Sequence, residues 1–142
     1  MSNNWNKIEY KDPKYTIIKD AKGNKVINVY LKLKGEWVHF SLNPEDKGAN
    51  FDTASLYNKI VSEGKVVSLT AEEEKTELSN IERVNRDIKL ELEVDPIVSN
   101  ALRWEDLSTS KQNEWKAYRT ALLAVPQQSG FPKTITWPTK PE

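Results

Sequence analysis

Val26-Ile27-Asn28-Val29-Tyr30-Leu31-Lys32-Leu33-Lys34-Gly35-Glu36-Trp37-Val38-His39-Phe40-Ser41-Leu42 decides the N-terminal half of the fold. The stretch is rich in β-branched and aromatic residues, which suit a pleated, half-buried ladder. Val29, Leu31 and Leu33 share one side, and Asn28, Tyr30, Lys32 and Lys34 the other. Lys34-Gly35 turns the chain, after which Val38, Phe40 and Leu42 face one way and Trp37 and His39 the other. Upstream, Tyr15-Thr16-Ile17-Ile18 reads as a further strand, joined through the turn Asp20-Ala21-Lys22-Gly23-Asn24. Residues 5–42 therefore predict a three-stranded antiparallel meander with one apolar face, and such a sheet needs a cover.

Residues 53–63 supply the expected cover. Asp52 or Thr53 can cap that helix, Leu56, Tyr57, Ile60 and Val61 form its apolar stripe, and Gly64 ends it. Lys65-Val66-Val67-Ser68-Leu69 reads as a short extended piece that adds to the sheet. Thr70 and Glu73 form a capping box, so a long helix is predicted from there to about residue 94. Glu72, Glu73 and Glu74 suit the positive end of its dipole. Its apolar residues Leu78, Ile81, Val84, Ile88 and Leu92 make a narrow seam on an otherwise charged helix. Such a helix packs along one line only, or waits for a partner.

Asp95-Pro96 reads as a break and restart, with a short helix to Leu102 or Arg103. Ser108 or Thr109 caps another helix through Ala124, with Trp115, Tyr118, Leu122 and Val125 on one stripe. Pro126 stops it, and Pro126, Pro132, Pro138 and Pro141 predict an extended, polyproline-like arm from there to Glu142. The fold class is α+β: a small antiparallel β-meander with one covering helix, then a long helix and shorter helices ending in the arm. The expected domains are a β-rich one over residues 1–69 and a helical one over residues 70–142.

Composition narrows the function. Hydrophobic residues make up 37% of the 142 and charged residues 30%, so part of the chain is expected to lie outside a common core. The net charge is zero, but residues 71–110 carry 11 acidic and 5 basic side chains, against a surplus of three positive charges on each side. No segment has the clustered basic face of a nucleic-acid binder. Cysteine is absent, which removes disulfides and thiolate metal sites and suits a reducing cytosol. Met1-Ser2-Asn3-Asn4-Trp5 is followed by no apolar run, so neither a signal peptide nor a membrane span is expected. The lone His39 cannot build a histidine-pair metal site, and no phosphate loop or nucleophile elbow occurs. The expectation is a non-enzymatic protein without cofactor or metal. Trp5, Tyr30 and Trp37 would suit a glycan platform if exposed, but strand aromatics are expected to serve core packing.

The C-terminal stretch is more specific. Tyr118-Arg119-Thr120-Ala121-Leu122 is followed by Pro126-Gln127-Gln128, then Gly130-Phe131-Pro132, then Trp137-Pro138 and Pro141. Upstream, Arg83, Arg86, Leu90, Leu92 and Asp95 form an arginine-bearing helix that ends in leucines and an aspartate. Across about residues 83–141 this pattern resembles the C-terminal domain of phage tail assembly chaperones, and more loosely the tail-fibre assembly proteins. The chain departs from the pattern at Pro96, where an aromatic is expected, and at Leu123-Ala124, where an Arg-Asp pair is usual.

The resemblance implies a non-catalytic assembly chaperone. Its expected partner is a phage tail fibre or receptor-binding protein, whose folding, trimerisation or attachment it aids. A trimeric client would take several copies. The expected location is the host cytoplasm during assembly, and the virion tail if the protein stays with its client. The alternative is a structural fibre-tip or tail adaptor retained in the particle. Partner contact is assigned to Trp115, Tyr118, Arg119, Leu122, Phe131, Pro132, Trp137 and Pro138, because a few desolvated aromatics and arginines dominate such interfaces. From its composition the arm is expected to be held weakly until a partner binds.

Overall fold

Two tight turns shape the sheet. At the first, the Asp20 carboxylate accepts from the backbone N–H of Lys22 at 2.9 Å and of Asn24 at 2.8 Å. At the second, Lys34 (φ 51°) and Gly35 (φ 85°) both take left-handed backbone, the geometry of a two-residue hairpin turn. In this computed structural model, which describes residues 4–142, the strands they join are β1 (Tyr10–Lys19), β2 (Lys25–Leu33) and β3 (Glu36–Leu42). Met1, Ser2 and Asn3, the first residues of the segment read for a leader, lie outside the described residues.

The order is β1-β2-β3, antiparallel throughout. Pairing Ile27 with Leu42, Val29 with Phe40 and Leu31 with Val38 gathers the apolar side chains on one face. The register between β1 and β2 shifts after Lys11, where Asp12 takes φ 53°. The Val67 N–H then donates to the Pro13 carbonyl and the Val67 carbonyl accepts from the Tyr15 N–H, both at 2.9 Å, so the expected extended piece joins the sheet as a single parallel bridge.

Helix α1 (Thr53–Ser62) covers the apolar face. Asp52 is its cap, accepting from the Ser55 N–H at 3.0 Å. Leu56, Tyr57 and Ile60 pack on Ile27, Val29, Leu31 and Leu42. Each fully buried aliphatic side chain there contributes roughly 1.5–3 kcal/mol. Val61 departs from the expected stripe and is exposed, because the stripe of a short helix admits only one edge to the sheet. Tyr57 adds a hydroxyl that donates to the Lys25 carbonyl at 2.7 Å. Trp5, on a 3₁₀ turn (Asn4–Lys7), packs against the same core.

On the opposite face of the sheet Tyr30 and Trp37 are exposed rather than in the core. The Lys11 ammonium lies 4.5 Å from the Trp37 ring centroid, and His39 meets Tyr30 edge-on at 5.3 Å. The three aromatics considered for a glycan platform are thus split between two surfaces, since strand side chains alternate and Trp5 follows the core side.

The capping box forms in both directions. The Thr70 N–H donates to Glu73 Oε2 at 2.9 Å, and the Glu73 N–H donates to Thr70 Oγ1 at 3.2 Å. Helix α2 (Ala71–Lys89) follows and continues as a π-helical turn (Leu90–Val94) into α3 (Asp95–Val98). The reason is Pro96: in an α-helix its ring would meet the carbonyl four residues back, and the wider turn relieves that clash. The predicted single helix to residue 102 or 103 is instead two. Asn100 interrupts it, its side chain accepting from the Arg103 N–H to cap α4 (Ala101–Glu105). Helix α5 (Thr109–Leu123) starts at Ser108, which accepts from the Lys111 N–H.

The chain forms two compact units, Met1–Glu74 and Lys75–Glu142. No helix among the described residues is long and apolar enough to cross a membrane.

Candidate functional site

The site belongs to the second unit and is built on α5. Spacings of three and four residues put Trp115, Tyr118 and Leu122 on one stripe, and all three are buried. They pack with Val94, and Leu90, Ile97, Val98, Trp104 and Leu107 close the cluster. Trp115 and Tyr118 meet edge-to-face, with centroids 6.0 Å apart at 75°. The Tyr118 hydroxyl donates to the Glu93 carboxylate. That bond holds the Glu93 carboxyl below its usual range. Burial, and then the same bond, pushes the Tyr118 phenol up to about 12. Gln112 donates to the Trp104 carbonyl at 2.9 Å and so ties α4 to α5.

The C-terminal arm is folded against this frame. It is extended only in its last part: Val125–Gln127 form a 3₁₀ turn and residues 128–134 are turns and a bend. Close approach explains the turn. Thr134 donates its N–H to the Gly130 carbonyl at 2.8 Å. A Cβ at Gly130 would lie 2.5 Å from the Thr134 carbonyl oxygen, so only glycine fits. The Phe131-Pro132 bond is cis, and Pro132 is buried. Further on, the Gln128 amide brackets the Thr136 backbone, donating to its carbonyl at 2.8 Å and accepting from its N–H at 2.9 Å. Trp137 then packs on the α5 cluster.

Cations of the preceding helix cover the arm's rings. The Arg83 guanidinium lies 5.4 Å from the Phe131 centroid, and the Lys89 ammonium 5.7 Å from that of Trp137. Lys89 also pairs with Glu93 at 3.6 Å. Arg86 is turned to Asp87 at 2.6 Å, its side chain mostly covered. Arg83 and Lys89 are thus the α2 cations that meet the arm.

The eight residues assigned to partner contact fall into two groups. Trp115, Tyr118, Leu122 and Pro132 are buried within the unit, while Arg119 is exposed and Phe131, Trp137 and Pro138 are partly so. Sequence reasoning overlooked Gln128 as a clamp, Glu93 as the Tyr118 acceptor and Lys89 as the Trp137 cover. For Gln128 the signal was its place between Pro126 and Gly130, where a side-chain amide can reach across a turn. The others depend on helix faces meeting, which has no local signature.

The α2 seam behaves differently. Helix α2 buries no residue of its own. Ile81, Val84, Ile88 and Leu92 remain 36%, 56%, 46% and 69% exposed. At about 3.6 residues per turn these four fall within roughly 80° of arc. A groove of about 480 Å³ beside the stripe is lined by Asn85, Ile88, Leu92 and Trp137 among others. Among the described residues, no group of three or more His, Asp and Glu side chains is arranged to hold a metal ion.

A sealed aromatic core, a tied-down arm and an uncovered aliphatic stripe define a small helical scaffold with a surface suited to another protein. Its C-terminal region, residues 79–142, matches the family model of the phage tail assembly chaperone protein. That match supports a role in phage tail assembly. No curated protein and no solved structure matches the chain.

Proposed function

We propose that the chain is a non-catalytic chaperone that binds a phage tail fibre or receptor-binding protein and aids its folding, trimerisation or attachment. One observation carries this reading. The family domain turns its aromatics inward, yet leaves the four aliphatic side chains Ile81, Val84, Ile88 and Leu92 in water along one helix. A contiguous apolar line on an otherwise charged helix marks a surface that another protein covers. Arg119, Phe131, Trp137 and Pro138 add contact at the edge of the unit. Trp115, Tyr118, Leu122 and Pro132 hold its shape from beneath.

The test is co-expression with the fibre of the same phage. The expected result is soluble fibre trimers only when this chain is present. Equal yields of trimer without it refute the reading. Mass spectrometry of purified virions separates a transient chaperone, which is absent, from a retained tail adaptor, which is present in stoichiometric amount.

A further inference from the structure

The two edges of the sheet differ. Along β1, Pro13 has no N–H to offer, the register shifts at Asp12, and Val67 occupies the edge beside Tyr15. The opposite edge, β3, has none of these devices: Glu36–Leu42 contains neither proline nor lysine and pairs with β2 residue for residue. Which of its backbone groups are open follows from the register. The Lys32 N–H donates to the Glu9 carbonyl at 2.9 Å, so Lys32 and its alternates Asn28 and Tyr30 direct their backbone to β1. Ile27, Val29, Leu31 and Leu33 therefore bond to β3, through their partners Leu42, Phe40, Val38 and Glu36. That leaves Trp37, His39 and Ser41 with N–H and C=O groups pointing away from the sheet, and among the described residues no backbone group meets them. All three residues are exposed, and Val38 between them is 42% exposed.

We propose that β3 is a self-association edge, at which a second copy of the chain adds its own β3 antiparallel and joins the two sheets into one. The inference stands apart from the client reading above and does not need it. Hydrogen-bonded pairs across the new seam must join outward-facing residues. Centring the two-fold axis on His39 uses them all: His39 meets the same residue of the second copy, and Trp37 meets Ser41 in both directions. Moving the axis to Val38 or Phe40 leaves one of the three unpaired on each copy. On the core side the same register sets Val38 beside Phe40, so the apolar row over α1 continues across the seam. Glu36, the only carboxylate on a strand without Lys or Arg, falls opposite Leu42, so no like charges meet. A strand of another protein would find the same open bonds; the matched Val38–Phe40 rows and the absence of opposed charge select a second copy. The strand is about 24 Å long, and one such seam buries less than the roughly 1,200–2,000 Å² of a standard interface, so the dimer is weak and reversible.

Sedimentation equilibrium of the full chain from about 1 to 200 µM should show a monomer–dimer equilibrium with a Kd on the order of 10 µM. Hydrogen exchange at the two ends of that range reads the seam directly. At the high end the amides of Trp37, His39 and Ser41 should exchange about fivefold more slowly, while those of Val38 and Phe40, bonded to β2 at every concentration, should not change. His39→Pro removes an N–H that bonds nothing within the single chain, so it should keep the circular dichroism spectrum and weaken dimerisation by about tenfold or more. His39→Lys keeps the backbone donor and sets like charges opposite each other, and should weaken it to a similar extent. A chain that stays monomeric over the whole range overturns the proposal, including one whose three amides are protected only when a tail protein is added, which would give the edge to the client. A dimer that His39→Pro and His39→Lys leave intact overturns it too, as does a dimer in which the three amides keep their dilute rates.

Discussion

Trp137→Ala measures how firmly the arm belongs to the second unit. Replacing a buried Phe or Trp by Ala costs about 3–5 kcal/mol in a core. Trp137 is partly buried against the α5 cluster, so roughly half of that, about 2 kcal/mol, is the expected loss. The Lys89 ammonium over its ring adds about 0.5 kcal/mol at so exposed a position. The Gln128 clamp remains in the variant, so the arm's backbone stays ordered and no entropy returns to offset the loss. In a unit of this size each kcal/mol moves the midpoint by about 4–8 °C, so the combined loss of about 2.5 kcal/mol should lower Tm by roughly 10–20 °C. Thermal unfolding of the full chain, followed by far-UV circular dichroism, gives the number, and Trp137→Phe should recover part of it. A fall of under about 2 °C would refute the reasoning. The arm would then be the weakly held appendage that its composition alone suggests.

Gly130→Ala should destabilise the same unit by about 1–3 kcal/mol, because the new Cβ meets a backbone carbonyl that cannot swing away; denaturant unfolding checks it. Gln128→Ala should free the last residues of the chain, costing about 1–2 kcal/mol for two exposed side-chain bonds and speeding amide exchange at Thr136. The Glu93–Tyr118 pair has a signed pH dependence. Glu93 is held below its usual range, so its contribution is complete above about pH 4.3 and is lost as pH falls through its folded value. Tyr118 is raised to about 12, so its contribution is complete below about pH 10 and is lost between there and 12. Tyr118→Phe should flatten both limbs of a stability profile measured by denaturant midpoint. In the first unit, Tyr57→Phe should cost about 0.5–1.5 kcal/mol by leaving the Lys25 carbonyl without its donor, read from the same midpoint.

Relations spanning a few residues were determined by the sequence itself. The alternation of residues 26–42, the Asp20 and Lys34-Gly35 turns, the Asp52 cap and the reciprocal Thr70–Glu73 box each depend on spacing and side-chain reach. All can therefore be read along the chain. The α5 stripe was legible for the same reason, and so was the motif pattern that marks the C-terminal family domain. Which stripe is covered was not, because burial depends on what a face meets. Trp115 and Tyr118 read as sticky partner residues, yet the π turn, α3, α4 and the arm close over them. Ile81, Val84, Ile88 and Leu92 read as a seam of either kind, and only the tertiary structure leaves them bare. The widened turn at Leu90–Val94 and the Gln128 clamp also belong to tertiary structure. The physical reason is that a cap or a turn satisfies hydrogen bonds within its own few residues, whereas an apolar face gains its free energy only from the element that removes it from water.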